Sequence, residues 1–272
     1  IGWTSADERP SVPCPDPPSH SDAAAGPKDA ETRAAEALPP DYVARLRADF
    51  DGHPGLADRL LAAAALDVPR GLRINTLRGT AEDTLAELAD DYLAGDPVPW
   101  ATWSRVVAPA AARRITETDA WRDGRVVLQS LSSMLAVIAL DPKPGERILD
   151  LCAAPGGKTA LIAALSDGRL DLHANDRSRR RCLRMRALLD TLGATARIRT
   201  GPGERLPARD LGTFDRVLVD APCSGEGRFR VDDAQSHATW SKKVVRRLAS
   251  LQKSLLHTAI AAVRPGGVIV YS

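Results

Sequence analysis

Three segments of this 272-residue chain set a thiol, carboxylates and an ammonium among small residues, as strand ends and tight turns require. The first is Ile148-Leu-Asp-Leu-Cys-Ala-Ala-Pro-Gly-Gly-Lys-Thr159, an apolar run that breaks into a small-residue turn and then opens a helix. Small residues let the backbone approach a ligand closely, and the free N–H groups of the helix start then point at it. Gly157-Lys158-Thr159 imitates a phosphate-binding loop, but Cys152 stands where that pattern needs its first glycine. The dinucleotide pattern G-x-G-x-x-G is absent. The second segment, Leu172-His-Ala-Asn-Asp176, ends a strand on a carboxylate. Asp176 can accept hydrogen bonds from ribose hydroxyls, cap the helix that begins near Arg177, or do both. The third, Phe214-Asp-Arg-Val-Leu-Val-Asp-Ala-Pro-Cys-Ser-Gly-Glu-Gly227, brings Asp220, Pro222 and Cys223 to a strand end, with Gly225 and Gly227 loosening the loop beyond it. A buried cysteine is commonly inert filling; one that follows proline at a strand end is placed for covalent chemistry.

Elements of two periods must carry these segments. From residue 126 onward strands and helices alternate: a helix over 129–140, a turn at Asp141-Pro-Lys-Pro-Gly145, and strands at 147–152, 170–174, 196–200, 214–220 and 267–271. Helices lie between them, the longest spanning 241–263. Such alternation predicts a parallel, doubly wound sheet, whose ligands bind at the carboxyl ends of the strands. Residues 41–125 form a small α/β domain: helical spacing at Tyr42, Val43, Leu46 and Phe50, a second helix through Leu60, Leu61 and Leu66, a strand at 71–77, a helix at 80–92, and irregular chain through Pro97 and Pro99. Residues 1–40 hold eight of the 20 prolines and little apolar periodicity, and are expected to be an unstructured leader. The chain begins at Ile1, has methionine only at 134 and 185, and ends at Ser272 inside an apolar run, so both ends are expected to be cuts.

The composition, 44% hydrophobic and 26% charged, is that of a globular protein. No apolar run approaches the ~20 residues of a membrane helix, and nothing at the start reads as a signal peptide, so the expected compartment is the cytoplasm. Cys14, Cys152, Cys182 and Cys223 form no C-x-x-C pair, and the five histidines have no ligand spacing, so no metal is expected. The formal charge is +2, and residues 1–39 hold seven acids and three bases, so the body is moderately basic. Arg177, Arg179, Arg180, Arg181, Arg184 and Arg186 crowd one helix, and Lys242, Lys243, Arg246 and Arg247 another. Either cluster can be a solvated helix face or a surface for RNA phosphates.

The segments LDLCAAPGGKT, ANDRS and DRVLVDAPCSGEG together resemble the Sun/NSUN family of RNA cytosine-5 methyltransferases; so do RINTL, LQSLSSML and LQKSLLHTAIAAVRPGGVIVYS. The resemblance covers residues 41–272 and implies a class I methyltransferase fold preceded by a small RNA-positioning domain. It implies an S-adenosylmethionine site from Cys152 through Ala153, Ala154, Pro155, Gly156 and Gly157 to Lys158, with Asp176 on the ribose and Asp220 beside the methyl-donor and target-base region. The substrate implied is a cytosine in ribosomal or transfer RNA, and the protein is expected to act as a monomer. In the family one cysteine attacks carbon 6 of the base and a second, here Cys223, assists release. The attacker sits in a T-C pair directly after the fifth strand, beyond Ser272 in this numbering. Relatives often carry an Asp for the adenine end in the loop after the third strand, where this chain has Pro202. The rival readings are an RNA-binding assembly factor that keeps the cofactor site without catalysis, a DNA cytosine methyltransferase in which Cys223 itself attacks, and a P-loop NTPase.

Overall fold

A computed structural model describes residues 27–66 and 68–272. Its first layer is helical: α1 (Pro27–Ala37), α2 (Pro40–Asp49) and α3 (Leu56–Ala63). A small mixed layer comes next, with β1 (Arg70–Ile74), α4 (Ala81–Asp90), β2 (Asp96–Val98), β3 (Ala101–Val107), α5 (Pro109–Ile115), α6 (Asp119–Arg122) and β4 (Val126–Leu128). The alternating region comprises α7 (Leu131–Leu140), β5 (Arg147–Asp150), α8 (Gly157–Leu165), β6 (Asp171–Asp176), α9 (Arg179–Leu192), β7 (Arg197–Thr200), β8 (Phe214–Val219), α10 (Lys242–Ala262) and β9 (Val263–Tyr271).

The alternation makes the sheet it predicts. Five parallel strands lie in the order β7-β6-β5-β8-β9. The chain winds outward from β5 through β6 to β7, then returns to the other side of β5 as β8. β5 is therefore the switch point, and its carboxyl end opens on a crevice between outgoing loops. The central strands β5 and β8 carry short apolar runs, Ile148-Leu149 and Val217-Leu218-Val219, as strands covered on both faces need. Met134 and Val137 of α7, Ala160 and Ile162 of α8, and Met185 and Leu189 of α9 cover one face. Leu255, Ala259 and Ala262 of α10 cover the other.

The small layer is a four-stranded antiparallel sheet, β2-β3-β1-β4. Leu72, Ile74, Leu88, Ile115 and Val126 form its core. That sheet continues through Leu128, three residues past the boundary expected at 125, because Val126 pairs with Ile74. The stretch expected to be irregular through Pro97 and Pro99 holds strand β2 and the turn into β3; Pro97 is tolerated because β2 is an edge strand.

The expected leader needs correction over part of its length. Residues 27–37 are helical, and Ala34 and Leu38 are buried with Leu61 and Phe229 in a separate core. Alanine supplies the helix propensity there, while the apolar partners lie far away in sequence. The rest of that expectation, residues 1–26, falls outside the described residues, as does Cys14.

Candidate active site

The turn after β5 is built around a backbone that only glycine adopts easily. Gly156 has φ +112°, and a Cβ there would lie 2.9 Å from Met185 Cγ, so the turn packs directly on α9. α8 then starts at Gly157. Beneath the turn, Asp150 is fully buried and accepts a 2.7 Å hydrogen bond from Thr159 Oγ1. Burial pushes its carboxyl up to about 7, against the pull of that bond. Asn175 Nδ2 donates to the carbonyl of Leu151 at 3.0 Å, and Ala153 N–H to the carbonyl of Asn175 at 2.8 Å, tying the turn to the end of β6.

The sequence-selected residues converge on one groove of about 1860 Å³, whose walls include Cys152, Pro155, Lys158, Asp176, Asp220 and Cys223. Ala154 also faces it; Ala153, Gly156 and Gly157 shape the turn behind the wall. Lys158 Nζ is 2.7 Å from Asp220 Oδ2 and 3.2 Å from Ser133 Oγ, so an ammonium on α8 and a carboxylate after β8 form an ion pair across the switch point. Lys158 is mostly covered, at 13% exposure, while Asp220 keeps 39% and presents its carboxylate to the groove. Asp176 is 3% exposed. It accepts from Ser178 N–H at 2.9 Å and pairs with Arg181 Nη1 at 2.9 Å, and Arg181 also donates to the carbonyl of Ala154. Its hydrogen bond to Ser178 N–H does not exclude ligand contact, because a carboxylate has about four lone-pair sites. The helix cap proper is Ser178, whose hydroxyl accepts from Arg181 N–H.

The three described cysteines divide by environment. Cys182 is buried on the inner face of α9. Cys152 lines the groove, but burial, reinforced by Asp150, Asp176 and Asp220, pushes its thiol up to about 12, so it stays protonated. Cys223 is exposed on the groove wall. The loop that carries it is anchored on both sides. Gln252 Nε2 of α10 donates to the carbonyl of Pro222 at 2.9 Å. Glu226 accepts from Ser224 Oγ at 2.8 Å and Trp240 Nε1 at 2.7 Å, and it pairs with Arg45 of α2. Arg45 also lies over the Trp240 ring, and Tyr42 packs edge-on against Phe229 and Trp240.

Several of these partners are not evident from the sequence. Glu226 stands inside DRVLVDAPCSGEG, but nothing local identifies Arg45 as its partner. Ser133 and Gln129 lie in LQSLSSML, whose serines and glutamine hint at polar duty near a helix start. Gln129 accepts from Arg73 Nε at 2.9 Å, and Arg73 is a fully buried arginine on β1. In the loop after β7, the backbone of Pro202 is held by Arg199, whose Nη1 reaches both Pro202 O at 3.4 Å and Asn175 Oδ1 at 2.6 Å. Among the described residues no group of three or more His, Cys, Asp or Glu side chains could hold a metal ion, and no helix is long and apolar enough to cross a membrane.

Comparison with known proteins adds an independent line. A family model described as 16S rRNA methyltransferase RsmB/F matches residues 137–272. The chain is 36% identical over 251 residues to a 28S rRNA (cytosine-C(5))-methyltransferase of Mus musculus, covering 85% of this chain and 32% of that protein. It is 36% identical over 202 residues to a tRNA (cytosine(49)-C(5))-methyltransferase of Pyrococcus abyssi, covering 74% of this chain and 64% of that one. The crystal structure of a methyltransferase homolog protein from Pyrococcus horikoshii superimposes with a TM-score of 0.74 at 28% identity, over 89% of this chain and 76% of that chain. The chain thus spans about a third of the first relative and just under two thirds of the second.

Proposed function

The chain belongs to the RsmB/F family of methyltransferases, and from that premise we propose that its protein methylates carbon 5 of a cytosine in ribosomal or transfer RNA, with S-adenosylmethionine as donor. The observation that carries this reading is the groove at the switch point. It gathers Asp176, the Lys158–Asp220 pair and Cys223 from the ends of three neighbouring parallel strands.

The residues fit the cofactor. The glycine turn leaves the backbone bare where a ligand must come close, and Gly203, where a Cβ would lie 2.7 Å from Leu255 Cδ2 and 3.3 Å from the Leu151 carbonyl, keeps the opposite wall equally close. Asp176 offers a buried carboxylate suited to a ribose diol. When bound, S-adenosylmethionine supplies an electrophilic methyl group.

Carbon 5 of cytosine is a poor nucleophile, and addition of a thiolate at carbon 6 makes it electron-rich. After methylation a base takes the carbon 5 proton and the thiolate leaves, so one hard step becomes two easier ones. In this reading Asp220 accepts from the exocyclic amine of the base, the hydrogen bond by which carboxylates select cytosine. Lys158 holds that carboxylate in position through the 2.7 Å ion pair. Cys223 assists release, and its loop is kept in place by Gln252 and Glu226. The attacking thiol implied by the family pattern comes after Ser272. Ser272 N–H donates to Val219 O and Ala221 N–H to Ser272 O, both at 3.0 Å, so Ser272 itself lies beside Asp220. The target base must leave its stack to enter, at a cost of a few kcal/mol that backbone contacts offset. We place the protein in the cytoplasm, as a monomer.

Bisulfite sequencing of RNA from cells with and without the gene tests the reading. The expected result is one or a few cytosines that lose protection when the gene is removed. Unchanged protection throughout ribosomal and transfer RNA, alongside retained RNA binding, would favour the assembly-factor reading.

A further inference from the structure

We propose that the arginine face of α9 is a track for the RNA phosphate backbone, running from the groove to a second basic cavity at the far end of the helix; the inference rests on the RNA reading above and specifies the surface used. Arg177, Arg179, Arg180, Arg181, Arg184 and Arg186 are all exposed. Of these only Arg181 is ion-paired among the described residues, to Asp176. The first turn of α9 holds three successive arginines and no acid, an arrangement opposed by the positive end of the helix dipole. Solvation alone does not require cations at that end.

The placement of the arginines gives the cluster a direction. Arg177 lines the groove. Arg180 and Arg184 come after it at helical spacing, and the same stripe continues through Ala187 to Thr191. Thr191 lines a separate cavity of about 530 Å³ together with Arg78, Arg122, Arg125 and one acid, Asp123. Arg78 fixes that end, donating from Nε to Thr191 O at 2.9 Å and from Nη2 to Asp190 O at 2.6 Å. Arg122 is balanced by Asp119, and Arg125 by Glu87 and Asp123, so the uncompensated charge lies on Arg78 and on α9. The 14 residues of α9 extend roughly 21 Å at a rise of about 1.5 Å each, enough for several successive phosphates. Continuity with the groove that takes the base favours a nucleic acid over an acidic protein. Contacts of this kind fix register and add affinity without reading sequence.

The test uses the complete protein, with binding of an unmodified transfer-RNA transcript measured by fluorescence anisotropy across a salt series. The double variant Arg180→Gln/Arg184→Gln removes two charges from the stripe and leaves Arg177 and Arg181 in place. Each phosphate contact contributes about 0.7–0.9 to the slope of log affinity against log salt, so the slope should fall by roughly 1.4–1.8. Cofactor affinity should be unchanged. Arg33→Gln/Arg209→Gln, which removes the same charge from exposed sites off the helix, should leave the slope alone. An unaltered slope in the α9 variant, or an equal change in the control, overturns the track while the RNA reading stands. Displacement of the transcript by polyglutamate at equal charge also overturns it, as a surface for any polyanion. Failure of the wild-type protein to bind the transcript or a ribosomal RNA fragment overturns both proposals.

Discussion

Asp150 gives the fold a pH dependence that one substitution should erase. Its carboxyl is fully buried and is pushed from 3.8 up to about 7 by desolvation, with Thr159 as its hydrogen-bonding partner. The folded state therefore holds a proton that the unfolded chain releases near pH 4. This contribution to stability is complete below the unfolded value, declines as pH rises from about 4 to about 7, and is gone above that. A shift of about three units at about 1.4 kcal/mol each makes it worth roughly 4 kcal/mol over that window. Asp150→Asn keeps the shape and an oxygen for Thr159, and it cannot ionise. Urea unfolding, followed through the five tryptophans, would compare the two proteins from pH 5 to pH 8. Other acids titrate equally in both, so the difference between them isolates this group. Wild type should lose about 3 kcal/mol relative to the variant by pH 7 and little more beyond. A constant difference across the range would show that Asp150 is ionised in the fold and that its burial does not govern its titration.

The geometry carries three further expected outcomes. Asn75→Ala strips the donor from the buried carbonyls of Gly124 and Leu192, held at 2.7 and 2.9 Å. At about 1–3 kcal/mol for each orphaned group, calorimetry should find a melting temperature lower by roughly 5–15 °C, and a fall under 2 °C would deny this bridge its role. Asp176→Ala should weaken binding of S-adenosylmethionine by about 1–3 kcal/mol in titration calorimetry, and unchanged affinity would remove it from the site. In the complete protein, Cys223→Ala should let an RNA–protein adduct accumulate and survive denaturing electrophoresis; loss of every covalent species would instead make Cys223 the attacker.

The legible and the hidden parts of this fold divide by distance along the chain. The parallel sheet was legible because its central strands β5 and β8 are compact apolar runs and helices α8, α9 and α10 alternate with strands along the chain. The residues of the groove were legible because they sit at strand ends beside glycine and proline. Strands β2 and β3 were obscured by Pro97 and Pro99, of which the first sits in an edge strand and the second in the turn between the two. Helix α1 was obscured because alanine buries well while adding almost nothing to an apolar pattern. The Arg45–Glu226 anchor was illegible for another reason: its partners lie 181 residues apart, and only the folded chain brings them together.

That separation also sets a timetable. The core of the helical layer is made of residues 34–61 and Phe229, with Trp240 packed against it. At about 5–20 residues per second, a ribosome needs roughly 10–35 s to make the intervening chain. For that interval α1, α2 and α3 wait with Tyr42 and Leu61 uncovered, unable to finish their core by any local rearrangement. The N-terminal helices, though made first, are thus completed late, and the loop that carries Cys223 becomes fixed only in the same event.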